Sequence, residues 1–143
     1  MTMLDAFDAD VLIYAVIEHP LGEHVRQLFQ EAALAERFAG VGSVLLMPEV
    51  LSKPIREAAT DEVDDLSTLL ALLDLRPTDV HIARAATALA STYRLRAADA
   101  VHLATALIAG ADRFITNNRR DFPKSISEID ITYPEDLLDQ EPK

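Results

Sequence analysis

The chain has 143 residues, no cysteine and a formal net charge of −11, from 24 Asp and Glu against 13 Lys and Arg. Zero cysteines exclude disulfides, thiolate metal sites and a thiol nucleophile, and the acidic balance works against nucleic-acid binding through the surface as a whole. Half of the residues are hydrophobic, which predicts one packed domain over residues 1–138 and a frayed polar tail over residues 139–143. The apolar runs fall far short of the roughly 20 residues of a membrane-spanning helix. Met1-Thr2-Met3-Leu4-Asp5 has neither a basic nor a long apolar leader, so a cytoplasmic protein with no membrane partner is expected.

Strand and helix patterns alternate along the chain, which favours a parallel α/β sheet. A short first strand is expected over Asp5–Ala9, and the apolar run Val11–Ile17 either extends it or begins a helix. Val25, Leu28, Phe29, Ala32 and Ala33 have the spacing of one buried helix face. Gly40 and Gly42 punctuate that helix, and Val41–Leu46 reads as the second strand. Pro48 suits the first turn of the next helix, where its missing N–H is not needed. Pro54 lies deeper, so a kink or restart is expected near Lys53. Asp61–Asp65 reads as an acidic helix start with Leu66, Leu69, Leu70 and Leu73 as its apolar stripe. Leu75-Arg76-Pro77 is a short third strand, and Thr78 or Asp79 caps a helix to Tyr93 with Ile82, Ala85, Ala86 and Leu89 inward. A helix from Asp99 stops at Gly110, and Phe114–Thr116 and Ile129–Thr132 are the last strands.

Four acids stand where these apolar runs stop: Asp8, Glu49, Asp99 and Asp121. In an open α/β sheet the ends of parallel strands converge on one crevice where ligands bind. Carboxylates gathered there repel one another unless a cation lies between them. Hard oxygen donors without a His or Cys cluster suit Mg²⁺ or Mn²⁺, and the residues therefore point to a metal-dependent phosphodiesterase. Asp10 is a further candidate, either near the metal or as a cap of the following helix. Thr116 can orient a water or ligand at its strand end, or serve as a turn hydroxyl. His102, three residues after Asp99, shares its helical face; it can approach the metal's surroundings or a phosphate, or be a half-buried hydrogen-bonded histidine. Between Arg94 and Lys124 there are six cations and three acids, net +3, against −14 for the rest. Arg96, Arg119 and Arg120 in that segment are the candidate phosphate contacts.

The motifs carrying these acids resemble those of the PIN-domain family, especially the VapC-type ribonuclease toxins. Phe7-Asp8-Ala9-Asp10-Val11-Leu12-Ile13-Tyr14 looks like the family's opening motif, and Ser43-Val44-Leu45-Leu46-Met47-Pro48-Glu49-Val50-Leu51 like its second. Asp99-Ala100-Val101-His102-Leu103-Ala104-Thr105-Ala106-Leu107 is similar to the third, and Phe114-Ile115-Thr116-Asn117-Asn118-Arg119-Arg120-Asp121-Phe122 to the fourth. The resemblance implies a three-layer α/β/α sandwich with a mostly parallel central sheet. It implies Mg²⁺- or Mn²⁺-dependent hydrolysis of RNA, with Asp8, Glu49, Asp99 and Asp121 as metal-holding catalytic residues. It also implies a VapB-like antitoxin partner and a homodimer. The sequence departs at Asn118, where many members carry Asp, which shifts the fourth acid to Asp121. A haloacid dehalogenase-like phosphatase with Asp8 as nucleophile is the second enzymatic reading, but only 27 residues follow Thr116 and they contain no Gly-Asp metal motif. A PIN-like protein that has lost turnover and acts by binding a partner is the non-enzymatic alternative.

Overall fold

The computed structural model describes residues 3–140 of the chain. In chain order these form β1 (Asp5–Phe7), α1 (Ala9–Val16), a 3-10 turn (Pro20–Gly22), α2 (Glu23–Leu34), β2 (Gly40–Ser43), α3 (Leu46–Arg56) and α4 (Thr60–Ala71). They continue with β3 (Leu73–Arg76), α5 (Val80–Tyr93), α6 (Ala97–Ile108), β4 (Arg113–Ile115), β5 (Asp130–Thr132) and a closing 3-10 segment, Pro134–Gln140. Of the expected frayed tail, residues 141–143 lie outside the described residues, and the last helical turn runs to Gln140.

The strands make one five-stranded sheet in the order β3-β2-β1-β4-β5. Every pairing in it is parallel, so the sheet is wholly rather than mostly parallel. Alternation along the strands divides the core between the two faces. Ala6, Val41, Phe114 and Ile131 pack with α5 and α6 through Ile82, Ala86, Leu89, Leu103 and Ala106. Phe7, Ile115 and Leu73 face the other way, against Val11, Leu12, Val25, Phe29, Leu46, Val50, Leu66 and Leu70 of α1 to α4. These two helical layers flank the sheet as the α/β/α sandwich requires.

Local chemistry explains the element ends. Asp79 caps α5 by accepting from the Ile82 N–H at 2.9 Å. Gly110, at φ +77°, stops α6, and the Ala111 N–H returns to the Ala106 carbonyl. Val11–Ile17 resolves as helix, since α1 begins at Ala9 and ends at Val16. The expected second strand was too long: Leu46 already belongs to α3, and Gly40 and Gly42 lie inside β2, not at a helix end. A Cβ on Gly40 would meet the Asp5 carbonyl oxygen at 2.1 Å, so glycine is what lets β2 approach β1. No restart occurs at Lys53. Pro54 sits in the last turn of α3, which ends two residues later at Arg56, and the chain restarts as α4 at Thr60. The α6 helix opens two residues earlier than expected, leaving Asp99 in its first turn.

From β1 the chain moves outward through β2 and β3, then crosses back to place β4 on the other side of β1. The order therefore reverses between β1 and β4. A crevice opens at such a switch point, beyond the carboxyl ends of the strands.

Candidate functional site

Asp8 follows the last residue of β1 and is the N-cap of α1, with one carboxylate oxygen accepting from the Ala9 N–H at 2.8 Å. The other oxygen accepts from the Thr116 hydroxyl at 2.7 Å, just beyond β4, so the side chain bridges the two strands of the switch point. Both residues are almost wholly buried, Asp8 5% and Thr116 0% exposed. Burial raises the Asp8 pKa, opposed by the Thr116 hydrogen bond. Asp10, in the first turn of α1, accepts from the Asn117 N–H at 3.1 Å and ties the loop after β4 to the helix. Its second carboxylate oxygen is buried without a hydrogen-bond partner. Burial, then the neighbouring Asp8 charge, pushes Asp10 up to about 7.

Glu49 arrives from the first turn of α3 and His102 from α6, their Oε1 and Nε2 atoms 3.0 Å apart. Burial alone would depress the imidazole, but the hydrogen bond and charge of Glu49, with Asp8 and Asp99, raise its pKa. His102 is 2% exposed, so the expectation of a half-buried histidine is corrected: it lies in the inner face of a largely buried helix. The sequence offered no sign of its pairing with Glu49, 53 positions away. Asp99 is half-buried, and its pKa is raised first by burial and then by the charges of Asp8, Asp121 and Glu49. The four sequence-nominated acids thus share one electrostatic neighbourhood. Asp121 is held by Asn118, whose amide donates to its carboxylate at 3.0 Å and accepts from its N–H at 3.3 Å. The Asn118 N–H in turn donates to Thr116.

The nominated cations fare differently. Arg96 is the exposed N-cap position of α6, and Arg120 is exposed on the loop before Asp121. Arg119 is drawn away to Glu135 and lies over the Tyr133 ring, 4.4 Å from its centroid. Arg113, counted in the basic segment, is 7% exposed and pairs with buried Asp5 at 2.6 Å, which removes it from the surface charge.

Among the described residues, the acid cluster's only ion pair is Glu49 with His102. One donor atom each from Asp8, Glu49 and His102 lies within 4.8 Å of the others. Raised carboxylate pKa values, mutual repulsion and the orphaned Asp10 oxygen are what a site looks like when its residues suit a divalent cation. The oxygen-dominated donor set fits Mg²⁺ or Mn²⁺.

Residues 6–125 match the family model for the PIN domain. Among solved structures, the chain is similar to a toxin-antitoxin complex from Klebsiella pneumoniae at 22% identity and TM-score 0.69, covering 93% of this chain and 98% of that one. It is also similar to VapBC2 from Rickettsia felis, solved bound to a DNA fragment from its promoter, at 14% identity and TM-score 0.72, covering 92% and 98%. These two likenesses are of fold. No curated protein matches the sequence at a significant level. With the family model spanning most of its length, the chain belongs to the PIN domain family.

Proposed function

We propose that this protein is an endoribonuclease that hydrolyses RNA phosphodiester bonds with Mg²⁺ or Mn²⁺ held by Asp8, Glu49, Asp99 and Asp121, and that it is the toxin of a toxin-antitoxin pair. The observation that carries the reading is the gathering of these acids at the switch point, with burial and like charge raising Asp8 and Asp99 together. When bound, the ion supplies charge neutralisation, activation of a water for in-line attack and stabilisation of the leaving oxygen.

The chain's own residues bind and orient. Thr116 and the Ala9 N–H fix the Asp8 carboxylate in direction, removing rotamers that ligation would otherwise have to freeze out. Asn118 does the same for Asp121 and supplies no charge of its own. Arg96 and Arg120 are exposed near Asp99 and Asp121 in the chain, where they can take phosphate oxygens. Arg119 can add to them, with Glu135 competing for its guanidinium. The antitoxin reading is supported by what the two similar structures are, a toxin-antitoxin complex and VapBC2. A VapB-like partner that lays an Arg or Lys side chain into the acidic crevice would take the cation's place. A homodimer is part of the same proposal and rests on family resemblance.

Incubating the purified protein with end-labelled single-stranded RNA and DNA, with Mg²⁺ or with a chelator, tests the reading. Cleavage of RNA that the chelator abolishes is the expected result. Metal binding without cleavage would instead favour the partner-binding alternative, and an acyl-phosphate trapped on Asp8 would favour the phosphatase.

A further inference from the structure

The histidine beside the acids has a role that the motifs do not assign. His102 projects from α6 on the same face as Asp99, three residues earlier, and is 2% exposed. Glu49 is far less confined: its side chain is 32% exposed and hangs from the outer first turn of α3. Left alone, a glutamate there spreads over many rotamers, and holding an ion would have to freeze them out. The 3.0 Å contact between Nε2 of His102 and Oε1 of Glu49 is its link to the rigid interior.

We propose that His102 is a positioning residue that fixes the Glu49 carboxylate for the metal ion and does not itself ligate the ion. The inference rests on the metal-centre reading above and deepens it. An ionised carboxylate only accepts hydrogen bonds, so Nε2 is the nitrogen that carries the proton. A protonated nitrogen has no lone pair for a metal. The imidazolium has no lone pair at all, and a neutral ring could ligate through Nε2 only by moving its proton to Nδ1, which is buried with no partner among the described residues to accept from it. The ring would then give up a satisfied donor for an orphaned one, and Glu49 would lose its tether. The arrangement present avoids both costs: Nε2–H faces the carboxylate, Nδ1 keeps only a lone pair, and the remaining Glu49 oxygen stays available to the ion.

Two amide substitutions separate this role from simple packing. His102→Gln carries an N–H at the reach of Nε2, whereas His102→Asn stops short at the reach of Nδ1; both place an amide in the same buried position. Mn²⁺ affinity, measured by titration calorimetry beside metal-free melting temperature, is expected to fall about 10- to 100-fold in His102→Asn, the range for loss of an outer partner of a metal ligand. His102→Gln is expected to recover most of that affinity with a melting temperature similar to that of His102→Asn. Mn²⁺ bound to the wild type is expected to show no imidazole ¹⁴N coupling in pulsed electron paramagnetic resonance. A clear ¹⁴N coupling would overturn the proposal in favour of direct ligation. Equal Mn²⁺ affinity in both variants would overturn it as well. If Asp8→Asn and Glu49→Gln bind Mn²⁺ like wild type, the metal centre itself falls and the role of His102 with it. If those two lose affinity while His102→Asn keeps it, only the role of His102 falls.

Discussion

Taking a carboxylate out of water penalises its charged form, and one buried and two half-buried carboxylates meet here within one crevice. Asp8 and Asp99 are raised by burial and like charge, and Asp10 reaches about 7. Asp8→Asn and Asp99→Asn should each abolish the proposed RNA cleavage by removing a ligand charge, while leaving the metal-free fold as stable as wild type or slightly more so, because each removes a repelling charge at constant shape. Full activity in both would contradict the assigned roles, and circular dichroism with melting curves checks the fold. The same shifts set a pH dependence. An acid whose folded pKa is raised destabilises the fold only when ionised. For Asp10 that penalty is absent below the unfolded value of about 4 and complete above about 7. His102, raised as well, stabilises while protonated, and its contribution is lost as pH rises through its folded value. Both effects run the same way, so the metal-free melting temperature should fall between pH 5 and pH 8. Several degrees are expected, since about 1 kcal/mol moves the midpoint by roughly 2–4 °C at this size. Mg²⁺ at pH 8 should recover part of the loss, and Asp10→Asn should flatten the profile; a midpoint that rises over this range would contradict the electrostatic picture.

At the scale of the elements, short parallel strands place the site by where they end. Asp8 follows β1, Thr116 follows β4, and the order reverses between the two. That register is held from the opposite end by the buried pair Asp5–Arg113, joining β1 to β4 where they start. Asp5→Ala should cost about 3–5 kcal/mol, the usual penalty for leaving one member of a buried ion pair behind. Denaturant unfolding measures it, and a loss under about 1 kcal/mol would mean that the pair does not hold the register. Features governed by near neighbours were legible in the sequence: the strand-end position of Asp8, Asp79 as a cap, Pro48 in a first turn and the Gly110 stop. What escaped depends on contacts distant in the chain. Asp5 and Arg113 are 108 positions apart, and Arg113 therefore read as a surface cation. His102 read as a half-buried histidine because Glu49 lies on another helix. The pairing of Arg119 with Glu135 was hidden in the same way, since Glu135 follows in the closing segment. Gly40 read as punctuation, although what it serves is the close approach of two backbones.

Across the whole molecule, a net charge of −11 has to be reconciled with the RNA substrate proposed above. Long-range attraction is unavailable, so on that proposal binding would depend on a few local cations and on an ion held in the crevice. Each true phosphate contact contributes about 0.7 to the salt slope of single-strand binding. Arg96→Ala and Arg120→Ala should each lower the slope by about that amount. Arg119→Ala should lower it less, because Glu135 competes for the guanidinium. Arg37→Ala, on the turn before β2, should change neither slope nor affinity. Unchanged affinity and slope in Arg119→Ala/Arg120→Ala would leave the loop as an ordinary solvated surface. All of this depends on the acid cluster being a metal centre, and calorimetric titration of Mg²⁺ and Mn²⁺ into the wild type and into Asp8→Asn/Asp99→Asn tests that most directly. The account requires saturable binding to the wild type, with a melting temperature that rises with ion concentration, and loss of both in the double variant. Identical binding and identical thermal shifts in the two proteins would place the ion elsewhere and contradict the account.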